Sequence, residues 1–421
     1  MKYFLVLLLS IVIPGLILAQ SAKETEPYQQ VKLKKVELDI FQSLYTQDGD
    51  HSAVTGGHGS ESLSDYATNI ELNLLMDGKK EGNENSLTLK FGVDAYTSAS
   101  SDMINPNTIS SASYSDVRIY PAIAYNHSNF KGRYDIGTII SYSNEYDYES
   151  VGLGLNLSKR SKNNNSEIGL NLQTYVDRAD IIYPYELRPQ NYPDGSDDGG
   201  PVDKRFRYSN TASIVFSQVI NKRLQASILV DGVYQNGFLS TSFNRTTFVN
   251  EVFVENLPDV RIKLPIGARL NYFAGDNIIA KVYYRYYMDS WGITAHTFSL
   301  EVPVKIKPWF SVYPAYRYHK QSGMDYFYLP ESDFEGQEFY SNDYDLSGFD
   351  SHFMGLGFRI APPNGIFNAK DFIKNSELNI KYGYYDRSDG LNSHILSLHM
   401  KFVAETHPYS ELFKQIRQSV F

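Results

Sequence analysis

Sixteen charged side chains stand at alternate positions of segments whose other residues are largely apolar, and they are sorted by sign along the chain. Glu37, Asp39, Glu71, Asp94, Asp135, Glu167, Asp177 and Asp231 come first, with Lys90 and Arg118 among them. Arg261, Lys263, Arg269, Lys281, Arg285, Lys305, Arg317 and Lys381 follow, accompanied by Arg359, Lys401, Glu301 and Glu377. If both sets face one aqueous space, a mainly acidic wall opposes a mainly basic one, and the transverse field orients dipolar solutes passing between them. The same residues also suit salt bridges that join the walls and fill the interior. Both readings stand at the level of sequence.

Other chemistry is sparse. Asp194, Ser196, Asp198 and Gly199 have the spacing of an EF-hand opening, but position twelve is Arg205 where that loop needs Glu, so a Gly/Asp-rich turn is the better reading. His51 and His58 flank Thr55-Gly56-Gly57 with no third ligand at a compact spacing, which reads as a glycine-rich turn and not a metal site. Cysteine is absent, which excludes disulfides, thiolate metal sites and cysteine nucleophiles. No nucleophile–base pair is recognisable, so no catalytic, cofactor or metal residue is assigned, and an outer-membrane hydrolase is a minor alternative. The segment 321–349 carries Asp325, Glu331, Asp333, Glu335, Glu338, Asp343 and Asp345 and is studded with Tyr326, Phe327, Tyr328, Phe334, Phe339, Tyr340 and Tyr344. Such apolar surface favours a loop that folds inward or meets a partner over a merely solvated one.

These residues need a scaffold that alternates. From about residue 35 to 403, sixteen segments of 10–15 residues switch between apolar and polar or tiny side chains, as in Val151, Leu153, Leu155, Leu157 against Gly152, Gly154, Asn156. Tyr (34) and Phe (24) are abundant, as strands favour. Tight turns at 130–132, 221–222, 275–276 and 307–308 are set against long connections at 47–64, 99–114, 182–204, 237–257 and 321–349. Terse turns at one end, long loops at the other and segments longer than soluble strands predict an all-β fold, a transmembrane antiparallel up-and-down barrel of about 16 strands. No 20–50-residue repeat is recognisable.

Residues 1–19 read as a secretory signal peptide, with Lys2 before an apolar run to Leu18 and Ala19 ahead of the cut. A periplasmic leader at 20–34, the barrel at 35–403 and a periplasmic tail at 404–421 follow. In the tail, Tyr409, Leu412, Phe413, Ile416 and Val420 predict a short amphipathic helix. The net charge of −9, with signs interspersed, excludes a nucleic-acid partner.

The stretches His51-Ser52-Ala53-Val54-Thr55-Gly56-Gly57-His58-Gly59-Ser60-Glu61, Asp94 to Ser100 and Ser110 to Arg118 resemble an uncharacterised family of outer-membrane barrels, common in Bacteroidota and carried as a domain of unknown function. The resemblance covers most of the mature chain. It implies a barrel in the outer membrane of a Gram-negative envelope, and an envelope lipoprotein or redox protein as partner. It brings no catalytic or binding residues with it.

The leading expectation is therefore an outer-membrane channel or transporter for small polar solutes, in contact with outer-membrane lipid and without cofactor. The alternative is a closed barrel that serves as anchor or partner of an envelope lipoprotein or redox system.

Overall fold

The computed structural model describes residues 33–78, 80, 82–97, 115–188, 203–366 and 375–405. Its strands are β1 (Leu33–Asp48), β2 (Leu63–Asp77), β3 (Asn83–Tyr96), β4 (Asp116–Asn129), β5 (Tyr134–Asn144), β6 (Tyr148–Arg160), β7 (Ser166–Ile181), β8 (Asp203–Asn221) and β9 (Leu224–Gly237). A small hairpin, β10 (Arg245–Phe248) and β11 (Glu251–Val254), stands apart as its own two-stranded sheet. The wall resumes with β12 (Val260–Ala274), β13 (Ile278–Asp289), β14 (Thr294–Glu301), β15 (Val304–Lys307), β16 (Phe310–Gln321), β17 (Phe349–Ile360), β18 (Asn375–Arg387) and β19 (Asn392–Glu405). Along the wall the strands pair antiparallel in chain order, with β9 joined directly to β12, and β1 pairs with both β2 and β19, so the sheet closes.

The sixteenfold expectation holds once β14 and β15 are taken as one stave. Both pair with β13 and β16, and the ladder is interrupted at Val302-Pro303, where proline has no N–H to give. The predicted segment 294–306 therefore crosses in two pieces. Two further differences concern the connections. The expected loop 237–257 contains the β10–β11 hairpin, and the long-loop end also has tight turns at 145–147, 290–293 and 388–391, two of which become supports for the loops described below. The opposite end carries one long connection, 361–374. The proposed signal segment, residues 20–32 of the leader, the Asp194–Gly200 turn and the C-terminal helix at 406–421 lie outside the described residues. Leu33 and Lys34 belong to β1, and 404–405 extend β19.

A closed sheet has two faces, and the alternation sends them to different surroundings. Leu153, Ile140, Ile228, Ile214 and Leu396 belong to one exposed apolar face, whereas Asn156 and Asn171 sit across from one another on the other, beside Asp135 and Glu167. Leu155 and Leu172 form the neighbouring apolar pair, one residue out of phase. An arginine at position 172 is expected to cost about 2–4 kcal/mol at the bilayer midplane, and one at 171 close to nothing. Urea unfolding of the two variants in lipid vesicles measures the difference; equal costs would reverse the face assignment.

On the apolar face, three hairpins repeat one cluster. Tyr284 and Tyr286 flank His296, Tyr316 and Tyr318 flank His352, and Tyr382 and Tyr384 flank His394. In each, the first tyrosine hydroxyl lies 2.7–2.8 Å from histidine Nδ1, and the second tyrosine is the histidine's register partner. All three sit two or three residues from the same end of the barrel, a level suited to an aromatic belt with polar tips.

Candidate functional site

The inner wall is built from local ion pairs, and its two halves differ. Among the eight predicted acids, Glu37 meets Lys35 and lies 3.4 Å from Lys401, and Asp39 is 2.7 Å from His399. Glu71 meets Lys90 at 2.7 Å, Asp135 meets Arg160 at 3.1 Å, and Asp177 meets Arg207 at 2.8 Å and accepts from Ser150 at 2.7 Å. Asp94 accepts from the Tyr120 hydroxyl at 2.6 Å. Asp94, Glu167 and Asp231 have no ion-pair partner among the described residues. Adjoining staves thus supply most of the counter-charge, through Arg160, Arg207 and His399 as well as the predicted Lys90 and Lys401, while Lys35 comes from the same strand as Glu37.

The basic half is less neutralised. Arg261 holds Asp289 through Nε at 2.9 Å, and Lys281 holds Glu301 at 2.8 Å. Among the described residues, no ion pair reaches Lys263, Arg269, Arg285, Lys305, Arg317 or Lys381. Three of these rest on rings instead: Arg269 over Tyr283 at 5.7 Å, Arg285 over Tyr287 at 5.8 Å and Arg317 over Phe353 at 5.2 Å. The Phe353 ring lies over Gly383, diagonal to it on the neighbouring strand, where an added Cβ would stand 2.5 Å from the ring.

Four recesses open on this face. The largest of them, about 610 Å³, includes Arg285, Arg317, His319, Tyr283 and Tyr385. A second of about 570 Å³ brings Asp39 and Glu71 together with Lys381, where the acidic and basic halves adjoin. Asp177 lines a third with Arg118 and Arg207, and Asp135 and Glu167 line the fourth. The predicted residues are therefore spread around the wall and not gathered at one point.

Sequence reading missed the structure over the mouth. The buried apolar residues, including Ile181, Ile182, Phe248, Leu257, Trp291, Ile293 and Met324, all belong to the long-loop end, where four connections pack into a cap. Arg245 in β10 donates to Val54 O and pairs with Glu186, and the Thr247 hydroxyl donates to Gly56 O at 3.0 Å. The loop holding Val54 and Gly56 is rooted between β1 and β2, and Arg245 and Thr247 between β9 and β12. On a ring of sixteen staves those roots are eight apart, so these loops meet across the diameter. Gly56 is left-handed (φ +78°), and a Cβ there would stand 2.5 Å from Thr247.

The seven aromatics from Tyr326 to Tyr344 are all used in this cap. Phe248, 3 % exposed, packs against Tyr328, Phe334 and Tyr340 at 5.2–5.8 Å, Tyr326 meets Phe339 and Trp291, and Tyr344 meets Phe327 and stacks on His51 at 3.9 Å. The cap rests on the barrel's tight turns: Trp291 and Ile293 join its core, and Arg387 holds both Asp389, at 2.7 Å, and Asp345 of the loop.

Two carboxyls lie within the cap, Glu255 buried and Asp343 half-buried. Glu255 accepts from the Ser341 hydroxyl at 2.6 Å and from Thr241 N–H at 2.7 Å, yet burial holds its carboxyl above the usual range. Burial, aided by the charges of Asp345 and Glu255, holds Asp343 well above it. A carboxyl raised in the folded state contributes stability that is full below its unfolded pKa and is lost as pH rises through the folded value. The cap is therefore expected to loosen as pH rises above the ordinary carboxylate range. The chain has two tryptophans, and Trp309→Phe leaves Trp291 as reporter. Acrylamide quenching of Trp291 should increase with pH, and Asp343→Asn with Glu255→Gln should flatten the response. A flat profile with both carboxyls present would count against this coupling.

The similarity to known proteins covers most of the chain. No curated protein matches it in sequence. Among solved structures, a bacterial polysaccharide outer membrane secretin is similar at 10% identity and a TM-score of 0.45, covering 88% of this chain and 98% of that one. OccAB1 of Acinetobacter baumannii is similar at 8% and 0.41, covering 88% and 96%. OccK1 (OpdK) of Pseudomonas aeruginosa is similar at 5% and 0.40, covering 88% and 99%. The model of a family described as protein of unknown function, DUF3570, matches residues 8–397, and the chain belongs to that family.

Proposed function

We propose that the protein is an outer-membrane channel for small polar solutes, with a loop cap bridging its outer mouth. The observation that carries this reading is the unfilled inner face: sixteen staves enclose recesses of about 610, 570, 400 and 250 Å³ lined by charged and hydroxyl side chains. A barrel of this strand number is wide enough to leave an aqueous lumen. Ion pairs run between neighbouring staves along the wall, which leaves the space between opposite walls to water and solute. The basic half then sets the sign of the field a solute meets beneath the cap.

Reconstitution in planar bilayers tests the proposal. Ohmic single-channel steps at neutral pH are expected, together with recovery of the mature chain in the outer-membrane fraction and heat-modifiable mobility on gels. A second reading, a closed barrel anchoring or receiving an envelope lipoprotein or redox partner, is favoured by the loops that meet across the diameter. It requires bilayers without steps even when the cap is released.

A further inference from the structure

The geometry points to a binding site for a small organic carboxylate in the 610 Å³ recess beneath the cap, with Arg285 and Arg317 as its anion-binding groups. This deepens the channel reading by naming a solute class, and it rests on that reading for its place on a passage. Both arginines line the recess, and neither has an ion-pair partner among the described residues, although the wall elsewhere supplies counter-ions from adjoining staves. The Nε of Arg285 is buried and lacks a hydrogen-bond partner. Guanidinium groups without a competing acid are suited to grip a carboxylate through paired N–H donors.

The rest of the lining fits an apolar body on that carboxylate. Tyr283, Tyr287, Tyr385 and Phe349 line the recess together with the two arginines, and Arg285 lies over the Tyr287 ring. Polar side chains stand among them: the Thr297 hydroxyl lies 2.8 Å from His319 Nδ1. The cap closes over the upper edge, since Gln321 Nε2 donates to Asp345 O at 3.0 Å and Ser347 O at 2.7 Å, and Tyr287 packs against the cluster around Trp291. A solute held here would be in contact with both the basic wall and the underside of the cap.

Calorimetric titration of the full mature chain in detergent with benzoate, acetate and inorganic phosphate tests the site without requiring conduction. Saturable benzoate binding, tighter than that of acetate or phosphate, is expected. Arg285→Gln with Arg317→Gln should weaken it by about tenfold or more. Lys222→Gln with Arg223→Gln, at a turn on the opposite end, removes the same charge and should leave it unchanged. Heat-modifiable mobility verifies that each variant is folded. Absent binding, or equal loss in both double variants, would overturn the proposal. Phosphate binding as tight as benzoate would overturn the carboxylate assignment in favour of a general oxyanion site. Channel steps in a protein that binds no benzoate would sink the site alone, whereas benzoate binding in a barrel without steps would sink the channel reading alone.

Discussion

A disulfide between positions 256 and 340 is expected to lower single-channel conductance by about tenfold or more, and a reductant to restore it. Asn256 N–H donates to Tyr340 O at 3.1 Å, and Tyr340 N–H donates to Asn256 O at 2.7 Å. Such a mutually hydrogen-bonded antiparallel pair places its Cα atoms about 5.5 Å apart, inside the span a disulfide bridges. The bond would tie the connection holding β10 and β11 to the 322–348 loop, the two parts whose aromatic contacts make the cap core. Because the native chain has no cysteine, the engineered pair is the only thiol chemistry present. Losses such as the Asn256 side-chain bond to Glu338 O, or the contacts of the Tyr340 ring, are identical in the oxidised and reduced states. Equal conductance before and after reduction would show that solute passes beside the cap without requiring it to move. Silence in both states, and also at alkaline pH where the carboxyls of Glu255 and Asp343 loosen the cap, would favour the closed barrel.

The staves were legible because a barrel wall writes its period into every segment. Val151, Leu153, Leu155 and Leu157 face outward against Gly152, Gly154 and Asn156 whatever the register of the neighbours. Register itself was not legible. Asp39 finds His399 across 360 residues because β1 closes on β19, and nothing in the local sequence names that partner. The neutralisation of the acidic half was therefore invisible, as was the lack of it around Arg285 and Arg317. The cap was half legible. Its seven aromatics signalled burial, but their counterpart Phe248 lay in what read as a plain loop, although Asn250, left-handed at φ +61°, turns the chain between β10 and β11. The three Tyr-x-Tyr and His clusters escaped notice for a related reason: two recur with histidine ten residues on, while the third is divided by the long 322–348 loop.

Neutralising Arg269, Arg285 and Arg317 together, each to Gln, is expected to move ion selectivity toward cations without collapsing the barrel. The stability half of that expectation depends on which acids lose a partner. Glu301 is held by Lys281 at 2.8 Å, Asp289 by Arg261 at 2.9 Å, Glu377 by Arg359 at 3.0 Å and Asp350 by Lys320 at 3.6 Å. None of them relies on the three arginines, so removal strands no buried carboxylate, a loss that would cost about 3–5 kcal/mol for each broken pair. What is lost is the contact of each guanidinium with Tyr283, Tyr287 or Phe353, about 0.5–1 kcal/mol apiece at partly exposed sites. The selectivity half follows from charge. Three positive groups on one arc of the wall raise the local anion concentration, and their loss leaves the acids of the opposite half to set the sign. Reversal potentials in a salt gradient, read beside unfolding midpoints of the same protein, separate the two halves. A barrel that unfolds easily would mean the arginines are structural counter-ions, and a stable one with unaltered reversal potential would place them off the conducting path.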